Sequence, residues 1–154
     1  IVDDLIVKNP YTHEYIPWVA AEMPHLAEWT GPNGEIGMTM RFTLRDDVYW
    51  HDGVQVNASD CVFALNLLRY QENVRNYYVW APIYDVELID TYTFKVYYLM
   101  RYYWAIEGIA GAALQFPEHI WRPFIAGGDG KLWTEDDRHH SEWTGWEEVY
   151  MEDP

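Results

Sequence analysis

The sequence has 154 residues, 49% of them hydrophobic, enough for one domain with a buried core. Ten basic residues face 25 acidic ones, a formal net charge of −15. That balance excludes nucleic-acid binding, which needs a basic face for phosphates, and adhesion to an anionic membrane.

No apolar run is long enough to cross a bilayer. One cysteine, Cys61, leaves no internal disulfide. Nine Trp and 13 Tyr give a high aromatic share, which serves either a core or an amphipathic ligand.

Residues 1–20 read as strand, turn, strand, broken at Asn9-Pro10. Residues 30–38 hold Gly31, Pro32, Gly34 and Gly37, a loop or hairpin connection with a tight-turn signal at Asn33-Gly34. His13 and His25 stand apart from any ligand-type cluster and read as surface or structural residues. Met40, Phe42 and Leu44 then alternate with polar neighbours, the period of a half-buried strand. Asp52-Gly53 is turn chemistry. Asn57 stands where a helix cap belongs, and Asp60 three residues later approximates a capping box. Cys61, Ala64, Leu65 and Leu68 recur at helical spacing, so one face of that helix is apolar and Cys61 is a core residue.

Tyr70 to Ala81 is polar and aromatic, a loop or short helix holding Tyr77, Tyr78 and Trp80. Ile83 to Met100 predicts a hairpin, with Val86, Leu88, Phe94, Val96 and Tyr98 inward and residues 90–93 as the turn. Tyr102 to Gln115 predicts a short apolar helix interrupted between Gly108 and Gly111, where glycine lets backbone approach a neighbour closely. Pro117 suits the first position of another helix, and His119 reads as a structural hydrogen-bonding residue.

From Ala126 on, nine acidic residues face only Lys131 and Arg138, the composition of a solvated segment. Trp143 and Trp146 are expected to anchor it to the body. Its carboxylates raise calcium as an alternative. An EF-hand register with Gly130 at its glycine position puts Ile125 and Gly127 where oxygen ligands belong. Asp129 and Asp136 are then the only candidates left, and no metal or cofactor is expected.

The stretch from Arg41 to Leu68 resembles the signature of the family 5 extracellular solute-binding proteins. These are the dipeptide-, oligopeptide- and nickel-binding components of ABC importers. Phe42, Leu44, Arg45, Val48, Trp50, His51, Asp52, Gly53, Ala58, Asp60, Phe63 and Leu68 match in order and spacing. Asp47, Gln55, Asn57 and Cys61 depart from it, standing where the family has Gly, Pro, Thr and Val.

Three other stretches resemble the family. Near the start, Asp3, Leu5, Pro10, Thr12, Glu14, Tyr15, Pro17 and Ala20 fit, and either Ala20 or Leu26 to Trp29 closes that element. Ile83, Val86, Glu87, Ile89, Asp90, Tyr92 and Thr93 fit the hairpin, and Pro117, His119, Ile120 and Trp121 the element after it.

The resemblance implies an α+β fold: an antiparallel sheet with a few helices packed on it, the small extra domain of a class II periplasmic-binding-protein-like architecture. Residues 1–154 are then a single domain excised from a larger protein, with 126–154 as an acidic variable tail. The parent would capture a solute, a peptide by expectation, outside the cell or tethered to its surface as a lipoprotein, and deliver it to an ABC permease. This piece would form one wall or scaffold of the binding lobe beside the parent's remaining lobes. The resemblance makes Tyr77, Tyr78, Trp80, Gly111 and Ala112 the ligand-facing candidates. It gives Trp50, His51, Asp52, Gly53, Asn57 and Asp60 a structural role.

Two rivals stand beside it. An enzyme would need a nucleophile elbow, a phosphate loop or a placed carboxylate pair, and the first two motifs are absent. A carbohydrate-binding module, or an oligosaccharide-binding importer component, would use Trp platforms, and burial of Trp18, Trp50, Trp104 and Trp121 would count against it.

Overall fold

The computed structural model describes residues 3–70, 83–102 and 104–138. Two small strands, β1 (Ile6–Lys8) and β2 (Tyr15–Pro17), form an antiparallel pair. Asn9 ends β1 as a turn residue, its Oδ1 accepting the Tyr11 and Thr12 amides. A four-stranded antiparallel sheet follows in the order β3-β4-β6-β5, from β3 (His25–Thr30), β4 (Ile36–Thr43), β5 (Ile83–Asp90) and β6 (Thr93–Tyr98). Gly34, at φ +87°, takes the left-handed conformation that the tight turn between β3 and β4 requires.

Helix α1 (Ala58–Tyr70) packs on this sheet, and α2 (Ala105–Ala112) and α3 (Glu118–Ile125) complete the layer. The fold is α+β, as the resemblance implied. Among the described residues no helix is long and apolar enough to cross a membrane.

The core lies between sheet and helices. Met40 and Phe42 of β4 face it, and Phe42 stacks on Phe94 of β6 with ring centroids 5.2 Å apart. Val96 and Tyr98 extend the same row, and α1 inserts Cys61, Leu65 and Leu68 against it. Leu44 falls just past β4 but keeps the inward parity through a bridge to Ala20. That bridge, with Arg45 N–H donating to the Val19 carbonyl, ties the β1–β2 unit to the main sheet.

Four local expectations need correction. Leu88 is half exposed, because β5 is an edge strand with a register shift between Leu88 and Asp90. The helix predicted to break between Gly108 and Gly111 runs unbroken from Ala105 to Ala112. Gly111 is exposed, and a Cβ there would meet only the Asp4 Oδ1 at 3.8 Å, an ordinary contact rather than a close approach. Pro117 caps α3 from outside, leaving Glu118 as the first helical residue.

Candidate functional site

The signature stretch folds around one carboxyl. Asp60, in the first turn of α1, is 3% exposed. Its Oδ2 accepts the Asn57 amide at 3.1 Å and the Trp50 indole N–H at 3.3 Å. Its Oδ1 accepts the Glu118 amide at 3.0 Å, across 58 residues of chain. Asp60 thus holds the turn before α1 and the start of α3 at once. Burial pushes its carboxyl above the usual range, and those three donors pull the other way.

Asn57 occupies the cap position, its Oδ1 accepting the Ser59 amide at 2.8 Å. With Asp60 returning to the Asn57 amide, the two bonds make a capping box.

A second link runs beside the first. Asp52 opens the turn that Gly53 closes at φ +84°. Its Oδ1 accepts the Val54 amide at 3.0 Å, and its Oδ2 meets the His119 Nε2 at 2.6 Å. The amide and then the imidazole hold this carboxyl below its ordinary range. Trp50 lies against the same ring, centroids 6.5 Å apart. His51 points to solvent and shares in none of these contacts.

Of the ligand-facing candidates, Tyr77, Tyr78 and Trp80 lie outside the described residues. Gly111 lines a small cleft of about 240 Å³ with Asp4, Lys8, Tyr15 and Glu107. There the Tyr15 hydroxyl donates to Glu107, and Lys8 reaches the same carboxylate at 3.5 Å. Burial first, and the charge of Asp3 second, push the Asp4 carboxyl upward. Ala112 is 3% exposed and belongs to the core, so its side chain lines no surface.

In the tail, Asp136 accepts the Asp129 amide and the Thr134 hydroxyl, and Asp129 accepts the Lys131 amide. These carboxylates cap loop amides. Among the described residues no three acidic, His or Cys side chains converge as a metal-binding group.

Sequence reasoning missed two features. Trp133, at φ +66°, packs on Phe63 and Tyr70 of α1 and anchors the tail; Trp143 and Trp146, expected to do so, lie outside the described residues. The other is a mostly apolar groove of about 460 Å³ along β3, lined by Leu26, Met38, Tyr102 and Ile106, with Glu28 and Arg101 at its rim. Its lining comes from segments far apart in the chain, so no local pattern could have revealed it. The four Trp residues named for burial divide: Trp121 is buried and Trp50 half-buried, whereas Trp18 and Trp104 are more than half exposed.

Comparison with known proteins places this architecture. No curated protein matches the sequence. Solved structures do match. NikZ from Campylobacter jejuni, in complex with Ni(L-His), superposes with a TM-score of 0.60 and 22% identity, over 77% of this chain and 22% of that one. A periplasmic oligopeptide-binding protein of an ABC transporter from Thermotoga maritima gives 0.64 and 24%, over 80% and 21%. It has also been solved with mannohexaose bound. An oligopeptide-binding protein from Thermus thermophilus, complexed with a pentapeptide, gives 0.62 and 23%, over 79% and 20%.

At these identities the likeness shows the fold, and the chain spans about a fifth of each of those proteins. The family description that matches is "Bacterial extracellular solute-binding proteins, family 5 Middle", over residues 14–147, which takes in β2 to α3 and the whole signature. Its members are extracellular binding proteins rather than enzymes, and this chain belongs to that family.

Proposed function

We propose that this chain is the scaffold and one wall of the binding lobe of a solute-binding protein that serves an ABC importer, with a peptide as the solute. The observation that carries the reading is the family match over residues 14–147, most of the chain. Two of the matched structures are oligopeptide-binding proteins, which favours a peptide. The remaining lobes of the parent would supply the opposite wall, and closure on the ligand would give specificity. The parent would work outside the cytoplasm, tethered at the cell surface or free in a periplasm, and pass its solute to a permease. Tyr77, Tyr78 and Trp80, with Gly111 at its cleft, are the proposed ligand-facing positions. Trp50, Asp52, Gly53, Asn57 and Asp60 are proposed to hold the wall in shape, since their contacts run to backbone, to the α3 start and to one another.

An oligosaccharide is the second reading. The exposed indoles of Trp18 and Trp104 favour it, as does the mannohexaose held by a matched structure.

Thermal unfolding of the full-length protein separates the two. A ligand at about 100 times its dissociation constant stabilises the folded state by about 2.7 kcal/mol, a readable shift in Tm. A pool of di- to pentapeptides is expected to raise Tm, and manno- and cello-oligosaccharides to leave it unchanged. A rise with the sugars alone overturns the peptide assignment. A protein stabilised by neither overturns both.

A further inference from the structure

Strand β3 lies at the edge of the four-stranded sheet, with β4 on one side only. Among the described residues its backbone groups pair with no segment other than β4. On the open side of such a strand, alternate residues aim N–H and C=O outward, a template for another strand. Natural edges are blunted by Lys, Pro, a bulge or a covering segment. His25–Thr30 contains neither Lys nor Pro, pairs with β4 without a register shift, and exposes all its residues but Trp29, which is half-buried.

The apolar groove runs along this open edge. Leu26 and Glu28 sit opposite Met40 and Met38, so they share the face that looks toward the helices. A strand added to β3 would send every second side chain over Leu26, Met38, Tyr102 and Ile106. The groove's 460 Å³ lies within the range of about 300–1,000 Å³ typical of sites that hold a specific ligand.

Charge decides the occupant. The chain carries −15, which repels a second copy and attracts a cationic segment. At the rim, Glu28 is paired with Arg101 at 2.5 Å, both side chains about two-thirds exposed. A pair that exposed is weak and exchanges readily for an incoming cation. We propose that the free edge of β3 and its groove form a docking surface for an extended, cationic segment of a partner protein, bound as an added strand with an apolar side chain in the groove and a Lys or Arg on Glu28. The groove shares no lining residue with the Gly111 cleft, and docking there does not depend on which solute is carried.

The test uses the full-length protein and three blocked hexapeptides. One alternates Val or Leu with Lys, one replaces Lys by Glu, and one carries a central Pro. Hydrogen exchange read by mass spectrometry is expected to show the Lys peptide protecting the amides of residues 25–30. The Glu and Pro peptides are expected to bind more weakly. Leu26→Lys should cost about tenfold or more in affinity by placing a charge in the groove, with melting unchanged. Arg101→Ala, at an exposed rim, should tighten the Lys peptide a few-fold by freeing Glu28. Protection elsewhere but not at 25–30, or affinity indifferent to both substitutions, overturns the proposal. So does a dimer that protects residues 25–30 without peptide, which would give the edge to a second copy.

Discussion

The Asp52 carboxyl accepts the Val54 amide and faces the His119 ring, and both contacts favour its charged form. Its folded pKa is therefore below its unfolded one. The stability it contributes is present above the ordinary aspartate range and lost as pH falls through the folded value. Asp60 has the opposite sign. Burial raises its folded pKa, so the native state holds that proton more readily than the unfolded chain does, and stability from this group declines as pH rises through the same region. Asp52→Asn should flatten the acid limb of a stability profile measured between about pH 2 and about pH 6, and Asp60→Asn should steepen it. Identical profiles for the two variants would contradict this assignment of signs. Asp60→Ala is harsher, since it strands the Trp50, Asn57 and Glu118 donors. A loss on the order of 3 kcal/mol is expected by urea unfolding, and clearly less for Asp60→Asn, which keeps one acceptor oxygen.

At the scale of elements, α1, β4 and the β5–β6 hairpin were legible because each has a period of its own, whereas β3, exposed at all but Trp29, has none. Met40 and Phe42 alternate along β4, and Cys61, Leu65 and Leu68 recur along α1, so both buried faces could be read from spacing alone. Phe42→Ala removes half of a stacked pair in the centre of that interface, and a cost of about 3–5 kcal/mol is expected from denaturant midpoints. A loss under about 1 kcal/mol would mean that the core collapses around the cavity. The cap of α1 was legible for the same local reason, and Asn57→Ala should cost about 1 kcal/mol by the same measurement. Contacts between distant elements were not legible. The Asp60 bond to Glu118, the Asp52 bond to His119 and the Trp133 stack on Tyr70 join segments with no shared periodicity. The break predicted in α2 failed because packing outweighs the weak helix preference of glycine: Ile109 and Ala110, within the expected interruption, are both buried.

For the molecule as a whole, the charge imbalance acts on everything at once. Twenty-five acidic residues against ten basic ones leave carboxylates facing carboxylates over the surface, a self-repulsion that opposes the compact state. Among the described residues, half of the ion pairs that offset it are shallow: Lys8 with Glu107, Arg45 with Asp47 and Arg101 with Glu28 are each about 40% exposed or more on both sides. Such pairs contribute about 0–1 kcal/mol each, so little is lost when salt weakens them. Screening should therefore relieve more repulsion than it removes attraction. The Debye length falls from about 30 Å at 0.01 M to about 10 Å at 0.1 M, the interval over which most long-range repulsion disappears. The melting temperature at neutral pH is expected to rise across that interval and to level off above it, with NaCl and KCl acting alike. A fall in Tm on adding salt would show that the few ion pairs outweigh the net charge. Variants then separate the two contributions: Arg45→Ala removes a shallow pair and should barely change Tm at either salt concentration. Glu22→Lys, at an exposed position, moves the net charge by two units and should reduce the salt dependence itself.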